Sequence, residues 1–211
     1  MNEKFFELPV DKQQKILNAG FKIFSECPYR KAPVAEIAAE AGISKSLLFY
    51  YFKNKKDLYL YLWDEAIRIS GRYIRQEHVL ETDDLFEMME RSIIAKCEMM
   101  TLYPYISAFC IQAYFEQDTE IAGNIQKDFD RQKAYSADLV MNRIDTARLR
   151  PDLDARMIYR EMIWASDGYI HMSHALGGLE SERIKDDFHK LNLFWRQAYG
   201  APDLKEPGKS E

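Results

Sequence analysis

Apolar residues recur with a period of about 3.6 along almost the whole chain, and no stretch alternates as a strand would. Ile16, Gly20, Ile23 and Cys27, widened by Phe24, mark one face of a first helix that Pro28 closes. Val34, Ile37, Ala38 and Ala41 line a short second helix with Pro33 at its first position, and Gly42 ends it. Ser44 is a good N-cap for a third helix over 45–51. Asn54 caps a fourth, with Asp57 in the place of a capping-box acid, and Leu58, Leu62, Ala66, Ile69 and Tyr73 carry it to about residue 79.

The later elements are longer. Thr82 precedes a helix with Leu85, Met89, Ile93 and Cys97, and Pro104 opens another through Phe109, Ala113 and Tyr114. Ile121, Ile125, Phe129, Leu139 and Ile144 belong to a long helix broken at "RLRPDLD" (148–154). Ile158, Met162, Ala165, Tyr169, Met172 and Leu176 trace the next one, up to Gly177-Gly178. The last carries Ile184, Phe188, Leu191 and Trp195 and stops at Gly200, with Pro202 just beyond. The tail, 201–211, is expected to be disordered. The fold class is therefore all-α.

At 211 residues and 47% hydrophobic, the chain can bury one sizeable core or two small ones. No run approaches the ~18 apolar residues of a membrane helix. "MNEKFFELPVDKQQ" lacks the basic-then-apolar order of a signal peptide, so a cytoplasmic protein is expected. Cys27, Cys97 and Cys110 are odd in number and lack metal-ligand spacing; they read as small hydrophobes in a reducing compartment. Net charge is −5, but residues 1–60 hold ten Lys/Arg against seven Asp/Glu, while 61–211 hold 19 against 27. A locally positive N-terminal module on an acidic body can still meet a polyanion.

The densest signal is "SLLFYYFKNKKDL" (46–58), where four aromatics in a row meet a lysine cluster. Two short helices flank "EAGIS" (40–44), which is helix-turn-helix spacing, with the second helix the one that enters a major groove. An ordinary helical hairpin shares that spacing. The lysines Lys53, Lys55 and Lys56 favour the first reading, because they stand where backbone phosphates would lie.

"VAEIAAEAGISKSLLFYYFKNKKDLYLYL" (34–62) resembles the DNA-binding segment of the TetR family of bacterial transcriptional regulators. The resemblance is specific over about 12–62; beyond it, only helix pattern and lengths agree. It implies a helix-turn-helix DNA-binding domain over 1–53, a larger helical ligand-binding and dimerisation domain over 54–200, and a homodimer on a palindromic DNA operator. By resemblance, the DNA-binding residues are Ser44, Lys45, Ser46, Leu47, Phe49, Tyr50, Lys53 and Lys55. Lys45 and Ser46 would reach base edges or nearby backbone, Tyr50 a base or phosphate, and Lys55 a phosphate at the next helix's N-terminus. Leu48, Tyr51 and Phe52 would pack inward. Ser46 stands where glycine is common and Phe49 where tyrosine is common. Leu47 replaces a frequent polar residue and suits a thymine methyl. Pro28 stands where a glycine often ends the first helix, and Pro33 where a hydroxyl residue is frequent.

A ligand pocket is expected among the helices of about 85–175, lined by Tyr103, Tyr105, Phe109, Tyr114, Trp164 and Tyr169, with Asp167 and His171 as polar anchors. Asp167 facing aromatics would suit a cationic ligand; facing solvent or an arginine, it would be structural. The last two helices carry wide apolar faces, and Leu176, Leu191 and Trp195 are the candidate dimer contacts. No cofactor or metal site is expected, and no arrangement of catalytic residues points to an enzyme. The expected function is a repressor released from its operator by a small molecule. The alternatives are a helical DNA-binding regulator controlled by a protein partner and, more remotely, a helical enzyme.

Overall fold

The computed structural model describes residues 2–175 and 180–202, apart from the side chains of His171, His174 and Ala175. The tail beyond 202 lies outside them. Among the described residues the chain forms nine α-helices: α1 (Val10–Glu26), α2 (Val34–Glu40), α3 (Lys45–Tyr51), α4 (Lys55–Gln76), α5 (Leu85–Leu102), α6 (Ile106–Tyr114), α7 (Ala122–Met141), α8 (Ala155–Ala175) and α9 (Ser181–Tyr199). Short 3-10 turns lie at Glu3–Phe5, Tyr29–Lys31, Val79–Glu81 and Thr146–Arg148. The caps explain several boundaries. Asn54 Oδ1 accepts the Asp57 N–H at 2.8 Å, and Asp84 Oδ1 accepts the N–H groups of Phe86 and Glu87 at 2.8 and 3.2 Å.

By compactness the chain divides into one unit of 1–71 with 99–132 and a second of 72–98 with 133–211. This differs from a boundary at residue 53, because α1 packs on α6 as well as on α2. In the first unit α1 lies so close to α4 that a Cβ on Gly20 would come 2.5 Å from Leu62 Cδ1. Phe21, Phe24, Tyr59 and Phe109 form its aromatic centre, with Phe24–Tyr59 and Phe21–Phe109 ring centroids 4.8 and 5.2 Å apart. The Gln14 and Asn18 amides of α1 both donate to the Leu102 carbonyl at 3.0 Å, satisfying the end of α5.

The second unit is pinned at Asp84, which is 6% exposed. Its Oδ2 accepts Arg196 Nη1 at 2.9 Å and lies 3.5 Å from Arg148 Nη1. Beside this node Arg150 N–H donates to Tyr199 O and Ala201 N–H to Arg148 O, both at 2.9 Å. The α7–α8 connection is thereby strapped to the end of α9. Trp195, expected at the dimer contact, is 1% exposed within this single unit.

Burial by itself would raise the Asp84 carboxyl, but the Arg196 guanidinium and the Glu87 and Phe86 N–H groups outweigh it and hold it below the ordinary carboxylate value. A lowered folded value means stability that is complete above the unfolded value of about 3.9 and lost as pH falls through the folded one. Asp84→Asn should therefore cost on the order of 1–3 kcal/mol at pH 7, less than a fully buried pair because both arginines are partly exposed. Its stability should also fall less steeply than that of the wild type below pH 5. Parallel denaturation curves across pH would show that the node contributes nothing.

Candidate functional site

The turn between α2 and α3 is built from backbone chemistry. Ile37 and Ala38 are buried, and α2 ends as Gly42 N–H donates to Ala39 O at 3.0 Å and Ile43 N–H to Ala38 O at 2.9 Å. This is the Schellman arrangement, which needs a left-handed residue after the C-cap; Gly42 supplies φ +70°. Ser44 Oγ then accepts the Leu47 N–H at 3.1 Å and starts α3.

The four aromatics of this segment divide between inside and outside. Leu48 and Phe52 are 0% exposed and Tyr51 is buried, whereas Tyr50 is 54% and Leu47 37% exposed. Ser44, Lys45, Ser46 and Lys53 are exposed too, and Phe49 is half-buried with Lys45 Nζ 5.8 Å from its ring centroid. Six of the eight expected DNA-binding residues thus lie on exposed surface of the turn, α3 and the loop after it. The Ser44 hydroxyl is already engaged as a cap.

Lys55 departs from the expectation. Its Nζ donates to the Arg30 carbonyl at 3.1 Å and lies 5.0 Å from the Tyr29 ring centroid. Burial lowers its pKa. A lysine at the first position of α4 reaches back over the Tyr29–Lys31 turn because that turn offers a carbonyl and an aromatic face. The same turn is held from its other side: Glu116 Oε2 accepts the Tyr29 N–H at 2.6 Å, Glu120 accepts the Tyr29 hydroxyl at 3.0 Å, and Asp118 pairs with Arg30 at 2.7 Å. The Arg30 guanidinium also depresses the Asp118 pKa. Lys31, exposed beside it, went unread in the sequence, although "YRK" just before Pro33 is a visible basic signal.

The second unit contains a cavity of about 210 Å³. Met88, Met89 and Ile93 of α5, Leu139 and Val140 of α7, Ile163 of α8 and Phe188 of α9 wall it, with Ile74, Val79 and Leu80 beside them. Ser92, Lys96, Ser136, Tyr159, Ser166 and Asp167 are its polar groups. Two of these serine hydroxyls donate back to their own helices, Ser92 to Met88 O and Ser166 to Met162 O, each at 2.7 Å. The half-buried Lys96 and the exposed Asp167 therefore carry the charge at an otherwise apolar space.

Of the expected ligand residues whose side chains are described, only Asp167 lines this cavity. Tyr103 and Phe109 are core of the first unit against Phe21, and Tyr114 packs on Phe129 at 4.5 Å. Trp164 is 54% exposed under Arg160, and Tyr169 donates to Asp187 at 2.7 Å. Tyr105 lies beneath Lys22. The side chain of His171 falls outside the described part of the structure, as does Leu176 of the expected dimer contacts. Leu191 is half-buried. The exposed apolar residues of α8 and α9 are instead Met157, Trp164, Met172, Leu193 and Phe194.

A model of the family described as bacterial regulatory proteins, tetR family, matches residues 16–62. The HTH-type transcriptional regulator RutR of Escherichia coli (strain K12) is 28% identical over 160 residues, covering 74% of this chain and 71% of RutR. The fatty acid metabolism regulator protein of Bacillus subtilis (strain 168) is 31% identical over 65 residues; this match spans 31% of the chain and only about a third (32%) of that relative's length. Among solved structures, a TetR family transcriptional regulator from Chloroflexus aurantiacus J-10-FL superposes with a TM-score of 0.68 at 20% identity, covering 94% of this chain and 98% of its own. FadR from Bacillus subtilis, solved in complex with stearoyl-CoA, gives 0.62 at 16% identity, covering 84% and 96%. Both carry the same fold. Among the described residues no helix is long and apolar enough to cross a membrane.

The contact of Lys55 with the Arg30 carbonyl makes a specific prediction. Lys55→Ala should lower the melting temperature, by freeing the Tyr29–Lys31 turn, while leaving the salt slope of duplex binding unchanged. A slope shallower by about 1 per subunit would instead return Lys55 to a phosphate.

Proposed function

We propose, for a chain that belongs to the TetR family of bacterial transcriptional regulators, that it is a homodimeric repressor whose α3 helices read a palindromic operator and whose second unit takes an apolar, acyl-type ligand. The observation that carries the reading is the division of α3: its inner side is fully packed, so its outer side, Lys45, Ser46, Leu47 and Tyr50, is a fixed surface free for bases and phosphates. Arginine-free base reading of this kind relies on Leu47 against thymine methyls and on the polar reach of Lys45, Ser46 and Tyr50. Lys53 and Lys31 add sequence-independent charge. The function is binding, not catalysis, and it is exercised in the cytoplasm, where the DNA is.

One seven-residue helix reads only a few base pairs, so tight binding calls for two heads. Met157 and Trp164 on α8 and Phe194 on α9 are large apolar side chains left uncovered in the single chain, and they suit an isologous contact between copies. The ligand reading rests on the cavity walls of Met, Ile, Leu and Phe, on Lys96 as a partner for an anionic head, and on the likeness to a fold solved with stearoyl-CoA. A space of about 210 Å³ is below the ~300–1,000 Å³ usual for ligand pockets and favours a short acyl chain. The ligand releases DNA only by binding the DNA-incompetent state more tightly than the competent one.

The paired substitution Trp164→Glu with Phe194→Glu alters two exposed positions, so the chain should still fold. In sedimentation it should become monomeric, and it should lose operator affinity with α3 intact. A folded variant that stays dimeric would move the interface elsewhere.

For the ligand, octanoyl-CoA titrated into the protein–duplex complex should release the DNA. Ile163→Trp, which fills the cavity, should keep DNA binding and lose that release. Release undiminished in Ile163→Trp would place the ligand elsewhere, and no release by any acyl-CoA would favour control by a protein partner.

A further inference from the structure

The first residues of the chain carry no helical period, yet the structure joins them to the far end of α3. Asn2 Oδ1 accepts the Lys4 N–H at 3.1 Å and starts the 3-10 turn Glu3–Phe5. The Asn2 N–H donates to the carbonyl of Tyr51, the last residue of α3, at 2.8 Å. Phe5 is 0% exposed, and its ring centroid lies 5.1 Å from Phe52, 5.9 Å from Tyr51 and 5.5 Å from Tyr61. The segment is tied at its other end as well, since Gln13 Nε2 of α1 donates to the Leu8 carbonyl at 2.8 Å.

We propose that residues 2–5 are a strut that sets the orientation of the DNA-reading helix, with Phe5 as its positioning residue. Two turns of helix have few contacts of their own with which to fix a tilt. Gly42 and Ser44 hold the start of α3; the Asn2 hydrogen bond and the Phe5 ring hold its end. Tyr50 follows directly, because it is adjacent to the clamped Tyr51 and its ring lies edge-on to it at 5.7 Å. A small rotation at Tyr51 moves the Tyr50 hydroxyl and the Leu47 methyls relative to the bases, while the lysine charges, on long flexible stems, still reach phosphates. Loss of Phe5 therefore lowers discrimination between duplexes more than it lowers attraction to DNA. The inference rests on α3 being the reading helix.

The test compares wild type, Phe5→Leu and Phe5→Ala on two duplexes. One is the duplex that the wild-type chain enriches from a random pool; the other is a shuffled duplex of equal length and composition. Helix content is followed by circular dichroism at the same temperature. The ratio of the two affinities should fall in the order Phe, Leu, Ala, reaching about tenfold or more for Ala, the scale of one lost base-pair contact. Shuffled-duplex affinity and helix content should stay close to wild type. An unchanged ratio in both folded variants overturns the proposal. So does a loss of affinity for both duplexes in proportion to lost helix content, because that would make Phe5 core and nothing more. A wild-type chain that enriches no duplex fails earlier, at the DNA-reading function itself.

Discussion

A helix of seven residues is too short to be stable by itself, and this constraint governs the N-terminal part of the molecule. Its stability has to come from burial of one side, and Leu48, Tyr51 and Phe52 provide it. Once they are packed, the rotation of α3 about its axis is fixed, and with it the direction of Lys45, Leu47 and Tyr50. The α2 turn at Gly42 and the close α1–α4 approach at Gly20 hold the surface on which those side chains pack. In the proposed function, reading specificity would thus follow from core packing one residue away.

Charge in this unit is arranged in two ways. Lys22, Arg30 and Lys55 are held by Glu40, Asp118 and the Arg30 carbonyl, whereas Lys31, Lys45 and Lys53 remain exposed. An acidic chain can meet DNA because its local positive surface, not its net charge, determines the encounter. The acidic turn at Glu116–Glu120 grips Tyr29 and Arg30 of the same unit, so the α1–α2 turn is held by groups well away from α3 in sequence. In the second unit the Asp84 node performs a similar task, tying the start of α5 to the end of α9 around an apolar cavity.

The helix order was legible because its punctuation is chemical: Pro28, Gly42, Ser44, Asn54 and Gly200 act through local backbone geometry that a sequence displays. The inward set of α3 was legible from spacing together with the family resemblance. Side-chain destinations in longer helices were not. Phe109 and Tyr103 were named for a pocket although such aromatics more often serve a core, and packing against Phe21 places them in the core. Trp195 has the right period for an interface, but the same period serves the unit's own core. The contact of Lys55 with the Arg30 carbonyl was not legible, because that partner is a backbone group 25 residues earlier that no side-chain pattern reveals. Phe5 was missed because a three-residue turn has no periodicity.

In the proposed function, two α3 helices of one dimer read successive major grooves. Hydroxyl-radical footprinting of the full chain on the duplex it enriches measures this directly. Two symmetric protected patches are expected on one face of the DNA, about one helical turn apart or a small multiple of it. A single patch, or uniform protection that disappears with salt alone, would contradict it.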